Sequence, residues 1–220
     1  LADHARKSLN SDCLRISHDQ NDLTSENSIK ISTKSVVNPS THLIRGSALE
    51  ASNEIKKNLE DYSTIILMSN LAGKAGAGIG PIVSRICKQE QKNLLSFVVM
   101  PFKFEKERIF QSGIALKRIR QDSQCTIVID NDALLDSNPD LTQNQCYDIS
   151  NKAMESMIHS LKSSEISGDT NIMSTGKAAS DIEVSLKDSL RMLYEDAPPN
   201  SIKRSMLYVY GTDNLSLIHI

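Results

Sequence analysis

The sequence has no tryptophan, and aromatic residues make up only 4% of its 220 positions. The polar, Ser/Asn-rich first 45 residues therefore have little to bury. They are expected to be loops and weak strands at Cys13–Ile16 and Ser28–Ile31. Cysteine is sparse: Cys13, Cys87, Cys125 and Cys146 form no C-x-x-C pair. That spacing argues against a zinc site or a disulfide frame and for reduced thiols in a cytosol, with Cys87 and Cys125 as small core hydrophobes. An excess of one charge is also missing, with 25 Lys+Arg against 27 Asp+Glu. A bulk basic field for nucleic acid is thereby excluded, and no nucleic-acid partner is expected. No apolar run approaches the roughly 20 residues that span a bilayer, so no direct membrane segment is expected. No charged-then-apolar leader is visible. The chain starts at Leu1 and ends at Ile220 inside an apolar run, which reads as a fragment lacking both natural ends.

What remains is globular: 39% apolar and 24% charged. Apolar and small residues from Ser47 to Glu60 fit a helix. Ser63–Ser69 is a continuous apolar run of strand length, followed at once by the glycine-rich Leu71–Gly80. Ile82, Val83, Ile86 and Cys87 then fall on one helical face, with Pro81 placed for a first turn. A strand at Leu94–Met100, a helix at Glu105–Arg120 and a strand at Thr126–Ile129 follow. A long helix is expected over Tyr147–Ser163. After a Ser/Gly/Asn loop come an amphipathic helix through Ile182, Leu186, Leu190 and Leu193 and a last strand at Met206–Tyr210. Alternating helices and buried-type strands imply an α/β fold with a Rossmann-like parallel sheet flanked by helices. The expected organisation is a nucleotide-binding domain over 1–145, a core helix over 146–164 and a shortened second α/β domain over 165–220.

A strand, a glycine loop and a helix are the parts of a phosphate cradle, in which small residues let backbone N–H groups reach the oxygens. The loop Ala72-Gly73-Lys74-Ala75-Gly76-Ala77-Gly78-Ile79-Gly80 is neither a Walker A motif nor G-x-G-x-x-G. A tight turn that merely packs strand on helix is the competing reading. We expect a turn over Gly73–Gly80 and a helix starting near Ile79–Pro81, at the carboxyl end of the sheet.

Three segments together carry a family resemblance. Ala72–Gly78 is similar to the G-G-G-T-G-S/T-G signature of the tubulin/FtsZ superfamily. Met100-Pro101-Phe102-Lys103-Phe104-Glu105, with Arg108, resembles its P-F-x-x-E segment. Thr126–Leu135 resembles T-x-x-V-I-x-N-D/N-x-L-L. Ile16–Leu23 and Gly211–Leu217 extend the likeness more loosely, to roughly two thirds of the chain. The chain thus looks like a divergent, archaeal-type FtsZ-like protein. The resemblance implies GTP or GDP held at Gly73, Lys74, Gly76 and Gly78, with Glu105 and Arg108 on the sugar side and Asn131 at the base. Asn151 falls where the family has an acidic residue on the guanine edge, and Asp19 on the phosphate side. An amide offers one acceptor where a carboxylate offers two, which weakens guanine selection.

The departures shape the functional expectation. Ala75 and Ala77 replace two threonines, and a lost hydrogen bond to a charged phosphate costs about 1.5–3 kcal/mol. Restoring both threonines should tighten GTP binding. Lys74 replaces a glycine and either supplies a cation to the phosphates, obstructs them or points to solvent. The family's first strand and G-G-x-G loop have no counterpart before Cys13. Its carboxylate loop after the long helix, which completes hydrolysis in the next subunit, is not recognisable between Ser163 and Ser180, where Glu165 and Asp169 are the sole carboxylates. No catalytic residue and no metal ligand is assigned. The resulting expectation is a cytoplasmic cell-division protein with weak nucleotide binding and little or no hydrolysis. It would associate head-to-tail with itself or with FtsZ-type subunits, and with division-machinery proteins. The alternatives are an active filament-forming GTPase with an unrecognised catalytic loop and an unrelated α/β nucleotide- or dinucleotide-binding enzyme. His4, His18, His42, His159 and His219 are scattered and support no nucleophilic triad for the last.

Overall fold

The computed structural model describes residues 2–24, 27–34, 36–137, 139–160, 170–173, 183–184, 186–188, 190–191 and 200. The chain opens with helix α1 (Ala2–Leu9), strand β1 (Arg15–Ser17), a 3-10 turn at Gln20–Asp22 and β2 (Ser28–Lys30). Helices α2 (Thr41–Glu50) and α3 (Ser52–Leu59) precede β3 (Thr64–Asn70) and α4 (Lys74–Gln89). Then follow β4 (Asn93–Met100), α5 (Lys106–Asp122), β5 (Cys125–Asp130), α6 (Asn131–Ser137), α7 (Gln143–Ser160) and β6 (Thr170–Met173). Among the described residues every ladder is parallel, in a two-stranded sheet β1-β2 and a four-stranded sheet β3-β4-β5-β6. The expected Rossmann-like α/β architecture is the one observed.

Period-two alternation sorts the strand side chains between two layers. Ile65 and Leu67 turn to one face, joining Ile44, Ile55, Ile79, Ile82 and Ile86 of α2, α3 and α4. Ile66 and Met68 turn to the other, joining Phe97, Val99, Ile127 and Ile129 with Met154 and Ile158 of α7 and Ala5 of α1. Helix α5 lies beside α4, with Ala115 and Ile119 packed on Val98. The core thus sits on both sides of a sheet whose carboxyl edge is left to loops and helix starts.

Several elements differ from the sequence reading. Residues 2–9, expected as loop, form α1, because Ala5 and Leu9 sit one turn apart and find α7 and the sheet to pack on. The single helix expected over Ser47–Glu60 is two. Ser40 caps α2 by accepting from the Leu43 N–H at 3.2 Å, and Ala51 breaks the ladder at φ −85°, ψ 6°. There the Ser52 hydroxyl takes the Leu49 carbonyl at 2.6 Å, a side chain competing with the helix backbone. Helix α7 begins at Gln143, a turn before the expected Tyr147. The Ser/Gly/Asn stretch expected as a loop supplies β6, which extends the sheet beside β5. Residues of the expected Ile182–Leu193 helix are helical at 183–184, 186–188 and 190–191. The last expected strand, Met206–Tyr210, and the segment Gly211–Leu217 lie outside the described residues, as do Glu165 and Asp169.

Candidate functional site

The largest correction concerns the glycine loop. It is not a turn running to Gly80: α4 begins at Lys74, with Gly73 as its cap residue, so Gly76, Gly78 and Gly80 are helical. Their lack of a side chain has a packing cause. A Cβ on Gly76 would stand 2.0 Å from the Asn70 carbonyl oxygen. One on Gly78 would meet Ile44 Cγ2 at 3.0 Å, and one on Gly80 would meet Ser69 Oγ at 2.8 Å. The glycines bring α4 onto β3 on one side and α2 on the other. Close packing on β3 accounts for Gly76 and Gly80, and close packing on α2 for Gly78.

Pro81 lies inside α4 rather than in its first turn, so the Ala77 carbonyl loses the N–H that an unbroken helix would give it. Arg45 of α2, buried, donates its Nη2 to that oxygen at 3.0 Å. Burial, and secondarily the charge of Arg118, hold the Arg45 guanidinium below its ordinary pKa. The two alanines of the motif do not face an open cradle. Ala77 is buried beside Leu71, Val98 and Ile119, and Ala75 packs on the cluster of α2 and α3. Threonine at position 77 would thus enter the core.

What the α4 start does offer is backbone. Gly73 supplies no side-chain cap, and the first α4 bond in the ladder is Ala77 N–H to the Gly73 carbonyl. The N–H groups of Lys74, Ala75 and Gly76 are the unpaired donors that every helix start presents. Asn70 braces the approach: its Oδ1 accepts from the Ala72 N–H at 3.0 Å and its carbonyl from the Gly73 N–H at 3.2 Å. Lys74 turns aside, its Nζ donating to Asn38 Oδ1 at 2.5 Å.

Beside this helix start a cavity of about 390 Å³ opens between β3, β4 and α7, next to the first residue of α1. Its polar lining is Ser69, Asn70, Tyr147, Ser150 and Asn151. The apolar lining includes Met68, Phe97, Val99 and Met154, and no charged side chain contributes to it among the described residues. Tyr147 and Asn151 are one turn apart on α7 and so share a face. Phe102 meets the Tyr147 ring edge-on at 5.6 Å and stacks on Phe104 at 5.0 Å. Behind the wall, fully buried Asn131 accepts the Ser150 hydroxyl at 2.5 Å, and its Nδ2 has no partner among the described residues. An orphaned buried donor is costly, and a site that supplies an acceptor only when filled is one reason to keep it.

The remaining sequence candidates fall in three places. Glu105 caps its own loop: Oε2 accepts from the Phe102 N–H at 3.1 Å, and Oε1 pairs with Arg108 at 2.7 Å. Both are therefore engaged with each other near the carboxyl end of β4. Next to them Asp132 accepts the Lys103 N–H at 2.5 Å, and burial raises its carboxyl above the usual range. Asp19 is exposed and serves the 3-10 turn, accepting from the Asn21 N–H at 2.9 Å. Of the expected residues, Asn151 lines the cavity and Asn131 stands one hydrogen bond behind it; Gly73 and Gly76 sit across Asn70 from it. Asp19, Glu105 and Arg108 are not part of its lining. Sequence reasoning missed Tyr147 and Ser150; the i, i+4 pairing of an aromatic with Asn151 was the available signal. Among the described residues no cluster of His, Cys, Asp or Glu could hold a metal ion, and no helix is long and apolar enough to cross a membrane.

The chain matches the family model described as Tubulin/FtsZ family, GTPase domain, over residues 7–139. It is 29% identical over 99 residues to the cell division protein FtsZ 2 of Halobacterium salinarum, covering 45% of this chain and 25% of that protein. With the cell division protein FtsZ of Haloferax mediterranei it shares 30% over 108 residues, 49% of this chain and 29% of that one. Each alignment thus spans under a third of the relative's length. Among solved structures, an FtsZ mutant of M. jannaschii superposes with a TM-score of 0.70 at 18% identity, covering 84% of this chain and 67% of that one. CetZ from Methanosaeta thermophila gives 0.63 at 17%, covering 86% and 62%.

Proposed function

Because the chain belongs to the tubulin/FtsZ family, we propose that it is a divergent FtsZ-like cell-division protein of the cytoplasm that binds a guanine nucleotide weakly. The observation that carries this reading is the cavity at the carboxyl end of β3 and β4, lined by Asn70, Tyr147 and Asn151, with Asn70 also bonded to the loop that leads into the uncapped start of α4. Open α/β sheets take ligands at that edge. A base fits the uncharged cavity, Tyr147 supplying a ring face and Asn151 an amide edge. The phosphates would lie toward the Lys74–Gly76 N–H groups. Weak affinity follows from the charge inventory. Arg45 is buried against Ala77 and Arg108 is paired with Glu105, while Lys74, exposed and charged, is hydrogen-bonded to Asn38 and would have to leave it to meet the anion.

Little or no hydrolysis is proposed on the same footing, since phosphoryl transfer needs groups that orient the attacking water and counter the developing charge. The protein would then act by head-to-tail association with itself or with FtsZ-type subunits. A dimer of M. jannaschii FtsZ is among the structures this chain resembles at a TM-score of 0.70. The test is thermal unfolding with millimolar GTP, GDP or NAD, together with phosphate release. GTP and GDP should raise Tm by a degree or two and NAD should not, with phosphate release at background. No shift with GTP, or turnover rising with protein concentration, would overturn the reading.

A further inference from the structure

We infer that the cavity does not discriminate guanine from adenine, so that this chain takes GTP and ATP alike. The inference rests on the nucleotide reading above and concerns the base alone. A site selects guanine by setting acceptors against its two adjacent donors, N1–H and N2–H. It selects adenine by pairing N6–H and N1 with one acceptor and one donor. Selection for guanine is most readily built with a carboxylate, which only accepts.

The lining holds no carboxylate and no cation among the described residues. The amide of Asn70 is already committed through Oδ1 to the Ala72 N–H, and the Ser150 hydroxyl donates to Asn131 Oδ1. Asn151, half-buried, is the lining residue whose amide has both its donor and its acceptor uncommitted in the hydrogen bonds found among the described residues. An amide carries an acceptor and a donor side by side, and a half-turn about its last torsion exchanges them. In one orientation it meets adenine N6–H and N1; in the other it meets guanine O6 and N1–H. Tyr147, one turn away, offers a ring face, and stacking is tolerant of base identity. The unpaired Nδ2 of Asn131 lies behind Ser150, outside the cavity lining, and so reads neither base.

The experiment is equilibrium binding of GTP and ATP, each titrated by calorimetry into the wild-type chain, Asn151→Asp and Asn151→Leu. Wild type should bind the two with dissociation constants within about threefold. Asn151→Asp should set GTP ahead of ATP by about tenfold or more, the size of one base-edge readout. Asn151→Leu should weaken both by a similar factor while Tm holds. Wild-type preference for GTP beyond tenfold overturns the inference and leaves the nucleotide reading standing, as does an unchanged ratio in Asn151→Asp. Binding of neither nucleotide at millimolar concentration overturns both.

Discussion

Replacing Arg45 by methionine tests the account of how α4 tolerates a proline. Methionine keeps the apolar stem and removes the guanidinium that donates to the Ala77 carbonyl at 3.0 Å. A hydrogen bond from a charged donor is worth about 1.5–3 kcal/mol, and the orphaned buried oxygen adds a penalty of similar kind. Against this stands the relief of a desolvated cation beside Arg118, since the Nε of Arg45 itself has no hydrogen-bond partner among the described residues. A net loss of about 2 kcal/mol is expected, and at this chain length that corresponds to a Tm drop of roughly 4–8 °C. The decisive measurement is the double-mutant cycle with Pro81→Ala, by urea unfolding. An N–H restored at position 81 would bond the Ala77 carbonyl in the ordinary helical way, so Arg45→Met in that background should cost under about 1 kcal/mol. Equal costs in both backgrounds, within about 0.5 kcal/mol, would show that Arg45 does not substitute for the proline's missing donor.

Gly76→Ala should prevent folding or cost more than about 3 kcal/mol, because its Cβ would fall 2.0 Å from the Asn70 oxygen. Gly46→Ala, exposed in α2 with nothing within 4 Å, should instead stabilise by about 0.5–1 kcal/mol, and chemical denaturation of both variants checks the contrast. Ala77→Thr should lower Tm by several degrees without improving GTP affinity, since position 77 faces the cluster of Leu71, Val98 and Ile119. Tighter GTP binding in that variant would show that position 77 faces the phosphates. In thiol titration of the folded protein Cys13, half-buried, should react and buried Cys87, Cys125 and Cys146 should not. Burial lifts the Cys87 thiol from 9.0 to about 11. Its contribution to stability is therefore complete below pH 9.0 and is lost as pH rises toward about 11, where the unfolded thiol ionises and the folded one resists. Cys87→Ala should flatten that alkaline slope in a pH series of unfolding curves.

Local pattern determined most of the framework. The apolar run Ser63–Ser69, the strands at Leu94–Met100 and Thr126–Ile129 and the helix near Glu105–Arg120 all carry their signal within a few residues. The signature segments around Gly73, Glu105 and Asn131 are equally local, so the family could be read before any contact was known. The tertiary structure decided what those residues do. Glycine spacing cannot distinguish a phosphate turn from a helix that must approach a strand; Asn70 and Ser69 decide it for Gly76 and Gly80, and Ile44 for Gly78. Pro81 reads as a helix start in sequence because a missing N–H is free only there. It is interior here because Arg45, 32 positions from Ala77, fills the gap. Helix α1 has only a few apolar side chains and exists because α7 and the sheet give Ala5 and Leu9 a surface. The cavity wall pairs β3 with α7 across some 80 residues, and no periodicity within either element could announce that meeting.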